Sequence, residues 1–256
     1  MKTIIIGDVC GKTGRDVLKR KLSVIKQEYT PDWIIANGEN ATSGNGISTR
    51  HAKQLKESGV DIITSGNHIF ARNDWQETVK SLDYILRPHN LIDHTGTGCR
   101  VFSFDNKPRL AIINLAGRMF MERARCPFRM FDELYSQLPK KIPVFVDFHA
   151  EATSEKQAFF WHVDGRASCV VGTHTHVQTS DERILPAKTA VITDLGMTGA
   201  VDGVLGVDKD IILCRFYNGY SSRFQCALPP AKIEGVVVET DGDAKAVAID
   251  RFRVID

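Results

Sequence analysis

The first half of the chain alternates short apolar runs with segments that repeat apolar residues at helical spacing. Leu18, Leu22 and Ile25 fall on one face of a predicted helix over residues 14–29, which follows a strand-sized apolar run at residues 3–7. Such alternation is typical of layered α/β folds with right-handed crossovers. We predict further strands at residues 33–36 and 60–64, and further helices at residues 48–58 and from Asn73 or Asp74 to Leu82.

The second half contains more strand patterns, and they lie closer together. Helical spacing returns over residues 129–138 and 154–162, and the turn residues at 239–243 predict a closing hairpin. Because the sequence has no internal repeat and no Pro-rich linker, we expect one domain over residues 1–256. The pattern favours a two-sheet α/β/β/α sandwich over a single parallel sheet. The predicted strands of this half span residues 100–104, 109–115, 144–148, 169–172, 190–194, 211–216, 233–239 and 247–254.

Composition and charge are those of an ordinary globular domain. Hydrophobic residues make up 43% and charged residues 25% of the 256 residues, and the formal net charge is only +2. That balance excludes a disordered polyelectrolyte and gives no general attraction to nucleic acids or acidic membranes. The apolar runs are too short to span a bilayer and the start lacks a signal-peptide pattern, so we expect a cytoplasmic protein. The six cysteines include no C-x-x-C pair and are expected to be thiols there.

Polar side chains follow five of the predicted strands, at the point where each strand ends. In α/β folds, ligands bind in the crevice outside the carboxyl ends of the strands. Each position alone has an ordinary explanation as a turn or cap residue, but their joint occurrence favours a site. Carboxylate, amide and imidazole ligands suit iron, manganese, zinc or cobalt. The residues at these strand ends are Asp8, Glu39 with Asn40, Asn67 with His68, His149, and His174 with His176.

The eight histidines fall into two groups. His174 and His176 are two residues apart, so in an extended strand they would point to the same side. With His68 and His149 they belong to the strand-end set. The other four lack such neighbours and are expected to be ordinary surface or core residues: His51, His89, His94 and His162.

A competing motif lies directly after the first predicted strand. Gly7, Gly11, Lys12 and Thr13 resemble the phosphate-binding P-loop, G-x-x-x-x-G-K-[ST]. Only three residues separate the two glycines, one fewer than the motif requires. Asp8 would also place a carboxylate where backbone amides should face phosphate. A nucleotide-binding switch that depends on Lys12 and Thr13 is therefore the weaker alternative.

The polar strand ends belong to six longer motifs, which are GDV-x-G at residues 7–11, NGENA at 37–41 with G-x-GI at 44–47, SGNH at 65–68, HAE at 149–151, GTHTHVQT at 172–179 and DLGMTG at 194–199. Together they resemble the calcineurin-like metallophosphoesterases, and most closely the YmdB-type branch, bacterial proteins regarded as cyclic-nucleotide phosphodiesterases. Cys10 stands where the wider superfamily has a histidine. Glu39 and Asn40 stand where it has a bridging aspartate, an exchange that the YmdB-type branch is thought to make.

The resemblance implies a four-layer α/β/β/α sandwich with two divalent transition metals, iron or manganese in the first place. The first metal would be held by Asp8, Glu39, Asn40 and His176. The second would be held by Glu39, Asn67, His149 and His174. Glu39 would be shared, which suits two cations at short separation. Cys10 would either contact the metals or pack near them as a buried thiol.

The implied reaction is hydrolysis of a small phosphodiester, with 2′,3′-cyclic nucleotides as the expected substrates, by attack of a metal-bridging water or hydroxide. His68, beside Asn67, is the candidate general acid. Two alternatives use the same residues: a phosphomonoesterase, and a non-catalytic regulator that senses metal or nucleotide. Residues 117–129, which include Phe120 and several arginines, would form either a flap over the site or a subunit interface in a homo-oligomer.

Overall fold

A computed structural model describes residues 1–91, 95–104, 106–121, 124–219 and 223–256. Within them the helices are α1 (Gly11–Tyr29), α2 (Thr49–Glu57), α3 (Trp75–Ser81), α4 (Pro127–Ser136), α5 (Thr153–Val163) and α6 (Lys209–Asn218), and a 3-10 helix spans Asn67–Ala71. The strands are β1 (Lys2–Ile6), β2 (Asp8–Val9), β3 (Trp33–Asn37), β4 (Ile62–Thr64), β5 (Cys99–Phe104), β6 (Lys107–Ala116), β7 (Val144–His149), β8 (Cys169–Thr173), β9 (Arg183–Ile184), β10 (Ala190–Ile192), β11 (Met197–Ala200), β12 (Ala231–Thr240) and β13 (Ala246–Ile255).

The strands form two sheets. The first has the order β2-β11-β12-β1-β3-β4, with β13 paired to β12, and the second has the order β5-β6-β7-β8-β10-β9. Strands β1, β3 and β4 are parallel in the first sheet, and β6, β7, β8 and β10 are parallel in the second. The polar strand ends of the sequence therefore lie at the carboxyl ends of parallel strands in both sheets.

Three hydrophobic cores show how the layers are stacked. Along β1, Ile4 packs in the core that contains residues of α1 and α2, whereas Ile5 packs in the core between the sheets, as the period of two in a strand requires. Phe145 of β7 lies in the same middle core, and its neighbour Val146 packs with Phe159 of α5 in the third. The order of helices, sheet, sheet and helices confirms the four-layer α/β/β/α sandwich.

One predicted strand is wrong, because residues 211–216 belong to α6. The Asp208 carboxylate caps this helix by accepting backbone N–H groups of its first turn, and Gly219 ends it in the left-handed conformation at φ 73°. The run has the apolar composition of a buried strand, yet Phe216 is 83% exposed. A short apolar run does not distinguish a strand from a helix, and here the caps decide between them.

The other predicted elements are confirmed, with shifted ends. The first helix begins at Gly11 rather than residue 14, and α2 begins after Ser48, whose Oγ accepts the N–H of His51. Strands β12 and β13 form the expected closing hairpin. The short strands β2, β9 and β11 were not predicted, since two to four residues carry too little pattern.

Candidate metal centre

The seven predicted metal ligands and His68 converge at the carboxyl ends of the two sheets. Asp8 follows β1, Glu39 and Asn40 follow β3, and Asn67 and His68 begin the 3-10 helix after β4. The second sheet supplies the rest: His149 is the last residue of β7, and His174 and His176 follow β8. The fold therefore brings together residues that are up to 168 positions apart in the sequence.

Glu39 lies at the centre of this cluster and is fully buried. Its Oε2 is 3.2 Å from His149 Nε2, while its Oε1 is 3.0 Å from Asn40 Nδ2 and 3.4 Å from His68 Nδ1. The two oxygens thus face two different groups of side chains, which is the arrangement required of a shared carboxylate.

The first group contains Asp8, Asn40 and His176. His176 Nε2 is 3.1 Å from Asn40 Nδ2 and 3.9 Å from Asp8 Oδ1. The backbone N–H of His174 donates to the other oxygen of Asp8 at 3.2 Å. These contacts place one carboxylate, one amide and one imidazole around a common point beside Glu39.

The second group contains Asn67, His149 and His174. His149 Nε2 is 3.1 Å from both Asn67 Oδ1 and His174 Nδ1. Ligand atoms of Glu39, His149 and His174 all lie within 4.8 Å of one another, a spacing that suits one metal ion. His174 Nε2 points the other way and lies 3.0 Å from Glu151 Oε2.

The charges of the two carboxylates differ although both are buried. Burial raises the pKa of Asp8 to about 7, against the lowering effect of His176 and His149. Its Oδ1 has no hydrogen-bond partner among the described residues. Burial alone would also raise the pKa of Glu39, but His149 and His68 hold that pKa well below its ordinary value. An orphaned, fully buried carboxylate oxygen is the feature that a bound cation would satisfy.

The two adjacent histidines of the second group also differ in charge. Burial opposes protonation of His149, but Glu39 and Asp8 outweigh it and raise its pKa to about 9. Burial and the nearby His149 lower the pKa of His174 to about 4. Protonated His149 therefore donates from Nε2 toward Glu39 Oε2, 3.2 Å away, with neutral His174 beside it. In the metal-free protein a proton lies where the ligand atoms converge.

Gly66 permits this close approach. A Cβ at this position would lie 2.1 Å from Glu39 Oε2 and 2.2 Å from His149 Nε2. Any larger residue would enter the space between the two side chains, so the glycine of the SGNH motif shapes the site.

His174 and His176 converge for a different reason than the sequence suggested. They do not alternate along a strand, because both follow β8 and have positive φ angles of 103° and 64°. Such angles are rare outside glycine and persist only where the surroundings enforce them. The expectation that strand alternation aligns the pair is therefore wrong, although the two rings do reach the same cluster.

A buried ion pair supports the loop that carries these histidines. Lys156 Nζ is 2.8 Å from Asp194 Oδ2, and both side chains are almost fully buried. Asp194 also accepts the backbone N–H groups of Thr175 at 3.1 Å and Gly196 at 2.9 Å. Lysine is rarely this buried without a specific partner, and sequence reasoning missed it. The helical spacing of Lys156 in α5 gives no signal of its partner.

A chain of hydrogen bonds on the side away from the cluster orients the His149 ring. Its Nδ1 is 2.8 Å from Thr173 Oγ1, which donates to Asp147 Oδ1 at 2.7 Å. Because Nδ1 is engaged in this way, Nε2 is the nitrogen that faces the cluster. Asp147 and Thr173 were also missed, since they lie inside β7 and β8, where sequence reasoning places core residues.

A cavity of about 390 Å³ opens above the cluster. Its polar wall includes His68, whose side chain is 40% exposed. Its apolar wall is formed by Leu205, Val207 and Phe224. Phe120, which would lie over the site if residues 117–129 formed a flap, is 84% exposed. Within residues 117–129, positions 122 and 123 lie outside the described residues.

The turn at residues 7–13 does not have the arrangement of a P-loop. The backbone N–H groups of Gly7, Cys10 and Gly11 donate to protein carbonyls rather than pointing into an open cradle. Thr13 Oγ1 donates to Ala227 O at 2.8 Å, and Lys12 forms an ion pair with an aspartate one helical turn away. These contacts count against the nucleotide-binding switch.

The other histidines that the structure describes have local partners. His51 Nδ1 is 2.7 Å from Thr42 Oγ1, and His162 Nε2 is 2.9 Å from Asp132 Oδ1. His89 Nδ1 accepts the backbone N–H of Gly98 at 3.2 Å. His94 lies outside the described residues.

The chain is similar to a phosphodiesterase in sequence and to a phosphatase in structure. A 2′,3′-cyclic-nucleotide 2′-phosphodiesterase of Bacillus subtilis is 44% identical over 259 residues, covering 100% of this chain and 98% of its own length. The crystal structure of a phosphatase from Mycoplasma pneumoniae superposes with a TM-score of 0.93 at 37% identity, covering 100% of this chain and 93% of that one. A 5′-nucleotidase precursor from Thermus thermophilus, at 11% identity and a TM-score of 0.59 over 100% of this chain and 54% of its own, shares the fold. The family model of YmdB-like proteins matches residues 4–252, and the chain belongs to that family.

Proposed function

We propose that this protein is a dimetal phosphodiesterase that hydrolyses small phosphodiesters, with 2′,3′-cyclic nucleotides as substrates. The predicted enzyme class, a hydrolytic phosphoesterase, is confirmed by relatives that are named phosphodiesterase and phosphatase. The observation that carries the proposal is the position of Glu39, buried with one oxygen toward each of two ligand groups. The substrate is the one named for the Bacillus subtilis relative.

The residues of the cluster fit two divalent cations. Asp8, Asn40 and His176 with Glu39 would hold the first, and Asn67, His149 and His174 with Glu39 would hold the second. The Asn40 amide nitrogen faces His176, so Asn40 must rotate its amide by half a turn to offer an oxygen ligand. The orphaned Asp8 oxygen and the glycine at position 66 support this fit. Mixed imidazole, amide and carboxylate ligands favour iron or manganese. When bound, two such cations supply a water-derived nucleophile near neutral pH and electrostatic stabilisation of the phosphate oxygens.

His68 is the proposed donor of a proton to the leaving oxygen. In the metal-free protein its Nδ1 is 2.9 Å from Asn40 Oδ1, and its backbone N–H donates to Glu39 Oε2 at 3.2 Å. After rotation of the Asn40 amide, the ring would still have Glu39 Oε1 at 3.4 Å from its Nδ1. Since Nδ1 is engaged, Nε2 is the nitrogen available to a substrate in the cavity. The interaction of the imidazole ring with the Glu39 carboxylate raises the pKa of His68, which keeps the proton available near neutral pH.

Phe224 supplies a surface for a nucleobase. It is half exposed and lines the same cavity as His68. Stacking of a base on an aromatic ring is tolerant of base identity, which suits a small cyclic nucleotide. This apolar wall suits nucleotide substrates of either kind, so comparative kinetics are needed to separate the diesterase from the rival phosphomonoesterase, which would use the same metals.

Metal-loaded protein tests the proposal directly. Protein reconstituted anaerobically with iron or manganese should bind two equivalents and hydrolyse 2′,3′-cAMP with a higher kcat/KM than p-nitrophenyl phosphate. His68→Ala should retain both metals and lose a factor of about 10² to 10⁴ in kcat. Glu39→Gln should lose metal as well as activity, and His162→Ala, a histidine remote from the cluster, should match the wild type.

Three results would contradict the proposal. The first is absence of turnover of any phosphodiester by protein with two bound metals, which would favour the non-catalytic regulator. A preference for the phosphomonoester would support the phosphatase reaction instead. Full activity in His68→Ala would remove the assigned acid.

Location and assembly are proposals as well. Among the described residues, no helix is both long and apolar enough to cross a membrane. We propose action in the cytoplasm, where small nucleotides are available, and a homo-oligomer with no stable nucleic-acid complex. Fractionation of cells and sedimentation of the purified protein test these points.

A further inference from the structure

Two cysteines meet at the beginning of α1, next to the candidate metal centre. A Cβ at Gly44 would lie 3.2 Å from the Cys226 sulfur and 4.0 Å from the Cys10 sulfur, so the two sulfurs are close neighbours. Hydrogen bonding from the Cys10 thiol and from the backbone N–H of Lys12 contributes to lowering the pKa of Cys226. The Cys226 sulfur occupies the space beside Gly11, where a Cβ would lie 2.3 Å from it. Cys226 thus receives two donors at a helix N-terminus, where the partial positive charge favours a thiolate.

A buried cation stands beside this pair. Arg15 is only 8% exposed, and its guanidinium donates to Gln54 Oε1 and to the carbonyl of Ala41. None of the described carboxylates forms an ion pair with it. The charge of Arg15 acts instead on Cys226. The Cys10 hydrogen bond, Arg15 and the Lys12 N–H together lower the pKa of Cys226 to about 7.

Small molecules can reach the pair from solvent. Cys226 lines an open cavity of about 400 Å³ together with Lys12, Arg15 and Arg223. A neighbouring cavity of about 280 Å³ is lined by both cysteines. Among the described residues, the group of side chains that could hold a metal is the Glu39 cluster, so these thiols do not form a further three-ligand metal site.

We propose that Cys226 and Cys10 form a reversible dithiol–disulfide pair, in which Cys226 reacts first with a hydroperoxide and Cys10 then closes the disulfide. In the first step the Cys226 thiolate attacks one peroxide oxygen. The S–O bond forms, the O–O bond breaks, and the other oxygen takes a proton from solvent and leaves as water from hydrogen peroxide or as an alcohol from an organic hydroperoxide. In the second step the Cys10 sulfur attacks Cys226, the S–S bond forms, and the S–O bond breaks. The hydroxide that leaves takes the Cys10 proton and becomes water.

The balance is complete with one peroxide. The two thiols lose two electrons in total, and one hydroperoxide accepts them. The oxygen that bonded to sulfur leaves as water in the second step, and the other oxygen leaves in the first step as water or an alcohol. A low-molecular-weight thiol returns the pair to the dithiol state by exchange. Cys10 is the suitable second partner because it is buried and already hydrogen-bonded to the sulfur that it must attack.

The disulfide would connect two walls of the candidate site. Cys10 lies two residues after Asp8, and Cys226 lies two residues after Phe224. Oxidation would therefore tie the turn that carries a predicted metal ligand to the segment that forms the apolar wall of the cavity. The chemistry of the pair itself does not depend on the proposed phosphodiesterase activity.

Peptide mass spectrometry tests the pair without any activity assay. Full-length protein loaded with manganese, to avoid iron-driven peroxide chemistry, is treated with stoichiometric hydrogen peroxide, alkylated and digested with trypsin. Cleavage after lysine and arginine places Cys10 in the peptide of residues 3–12 and Cys226 in that of residues 224–232. We expect these two peptides to be joined with the loss of two hydrogen atoms, and the titratable thiols to fall by two from six. Reduction with a dithiol should restore all six.

Single variants separate the two roles. Cys10→Ser should stop at a sulfenic acid on Cys226, trapped by dimedone, whereas Cys226→Ser should leave Cys10 reduced. Cys214→Ser removes an exposed cysteine outside the pair and should cross-link like the wild type. The proposal is overturned if peroxide oxidises Cys214 before Cys226, if Cys226 proceeds to sulfinic acid without a cross-link, or if Cys10 is oxidised equally in Cys226→Ser.

Discussion

Replacing Asp8 with asparagine should stabilise the metal-free protein, although it removes a predicted metal ligand. Asparagine has nearly the same shape as aspartate, and its amide oxygen can still accept the backbone N–H of His174. Its amide nitrogen would take the place of the oxygen that has no hydrogen-bond partner, 3.9 Å from His176 Nε2. The substitution thus removes a buried ionisable group while keeping the existing contact.

The size of the effect follows from the pKa of Asp8. Burial raises this pKa from 3.8 to about 7, and each unit corresponds to 1.36 kcal/mol, so the carboxylate destabilises the metal-free fold by about 4 kcal/mol at high pH. Because the folded-state pKa is the higher one, this contribution of Asp8 to the free energy of unfolding is present at low pH. It is lost as pH rises from 3.8 to about 7, and the free energy of unfolding then levels off. The Asp8→Asn variant has no such loss, because an amide does not titrate. At about 2–4 °C per kcal/mol for a domain of this size, the variant should melt roughly 8–16 °C higher at pH 8.

Unfolding of chelator-treated protein between pH 4 and pH 8 measures this difference. The gain of Asp8→Asn should be near zero at pH 4, grow with pH and be largest at pH 8. Asp202→Asn removes the same charge from an exposed position and should change little. A variant that is no more stable than the wild type at pH 8, or a gain that does not depend on pH, would refute the reasoning.

Three further substitutions probe the walls and supports of the site. Gly66→Ala should lower the number of bound metals, measured by elemental analysis, because its Cβ would contact two predicted ligands, whereas Gly242→Ala, with open space around it, should not. Lys156→Met leaves its buried carboxylate partner uncompensated and should reduce the free energy of unfolding by about 3–5 kcal/mol in denaturant titrations. Phe224→Ala should raise KM for 2′,3′-cAMP about 5- to 100-fold with kcat little changed, while the exposed Phe216→Ala should leave both constants unaltered.

The sequence predicted the layers and the location of the site because both follow from periodicity. Ile4 and Ile5 face opposite sides of β1, and because both are apolar, the sequence of this strand predicts a hydrophobic core on each of its faces. Polar residues directly after buried strands then have to lie at the carboxyl ends of the sheets. Asp8, Glu39 and His149 could be placed together on that ground, without knowing which strands are neighbours.

Contacts that depend on three-dimensional neighbours were not predictable in this way. The ion pair of Lys156 joins a helix to a residue 38 positions away, and nothing in either local pattern indicates the other. Phe224 reaches the cavity from an irregular segment near the end of the chain. The strand predicted at residues 211–216 is helical because the cap at Asp208 prevails over an ambiguous apolar run. Periodicity indicates which face of a helix or strand is buried, but it does not indicate which residues a loop contacts.

The protons of the metal-free site imply that metal affinity rises with pH. Burial favours the neutral form of Asp8, whose pKa is about 7, while neighbouring carboxylates give His149 a pKa of about 9 despite its burial. At pH 6 both groups hold protons, and both must lose them before their atoms can bind a cation. Calorimetric titration of manganese into chelator-treated protein, in two buffers with different protonation enthalpies, should therefore show proton release and an affinity that increases from pH 6 to pH 8. Affinity that is constant over this range would mean that Asp8 and His149 do not exchange their protons for metal. The ligand assignment would then have to exclude them, even though the fold brings them into the same buried cluster.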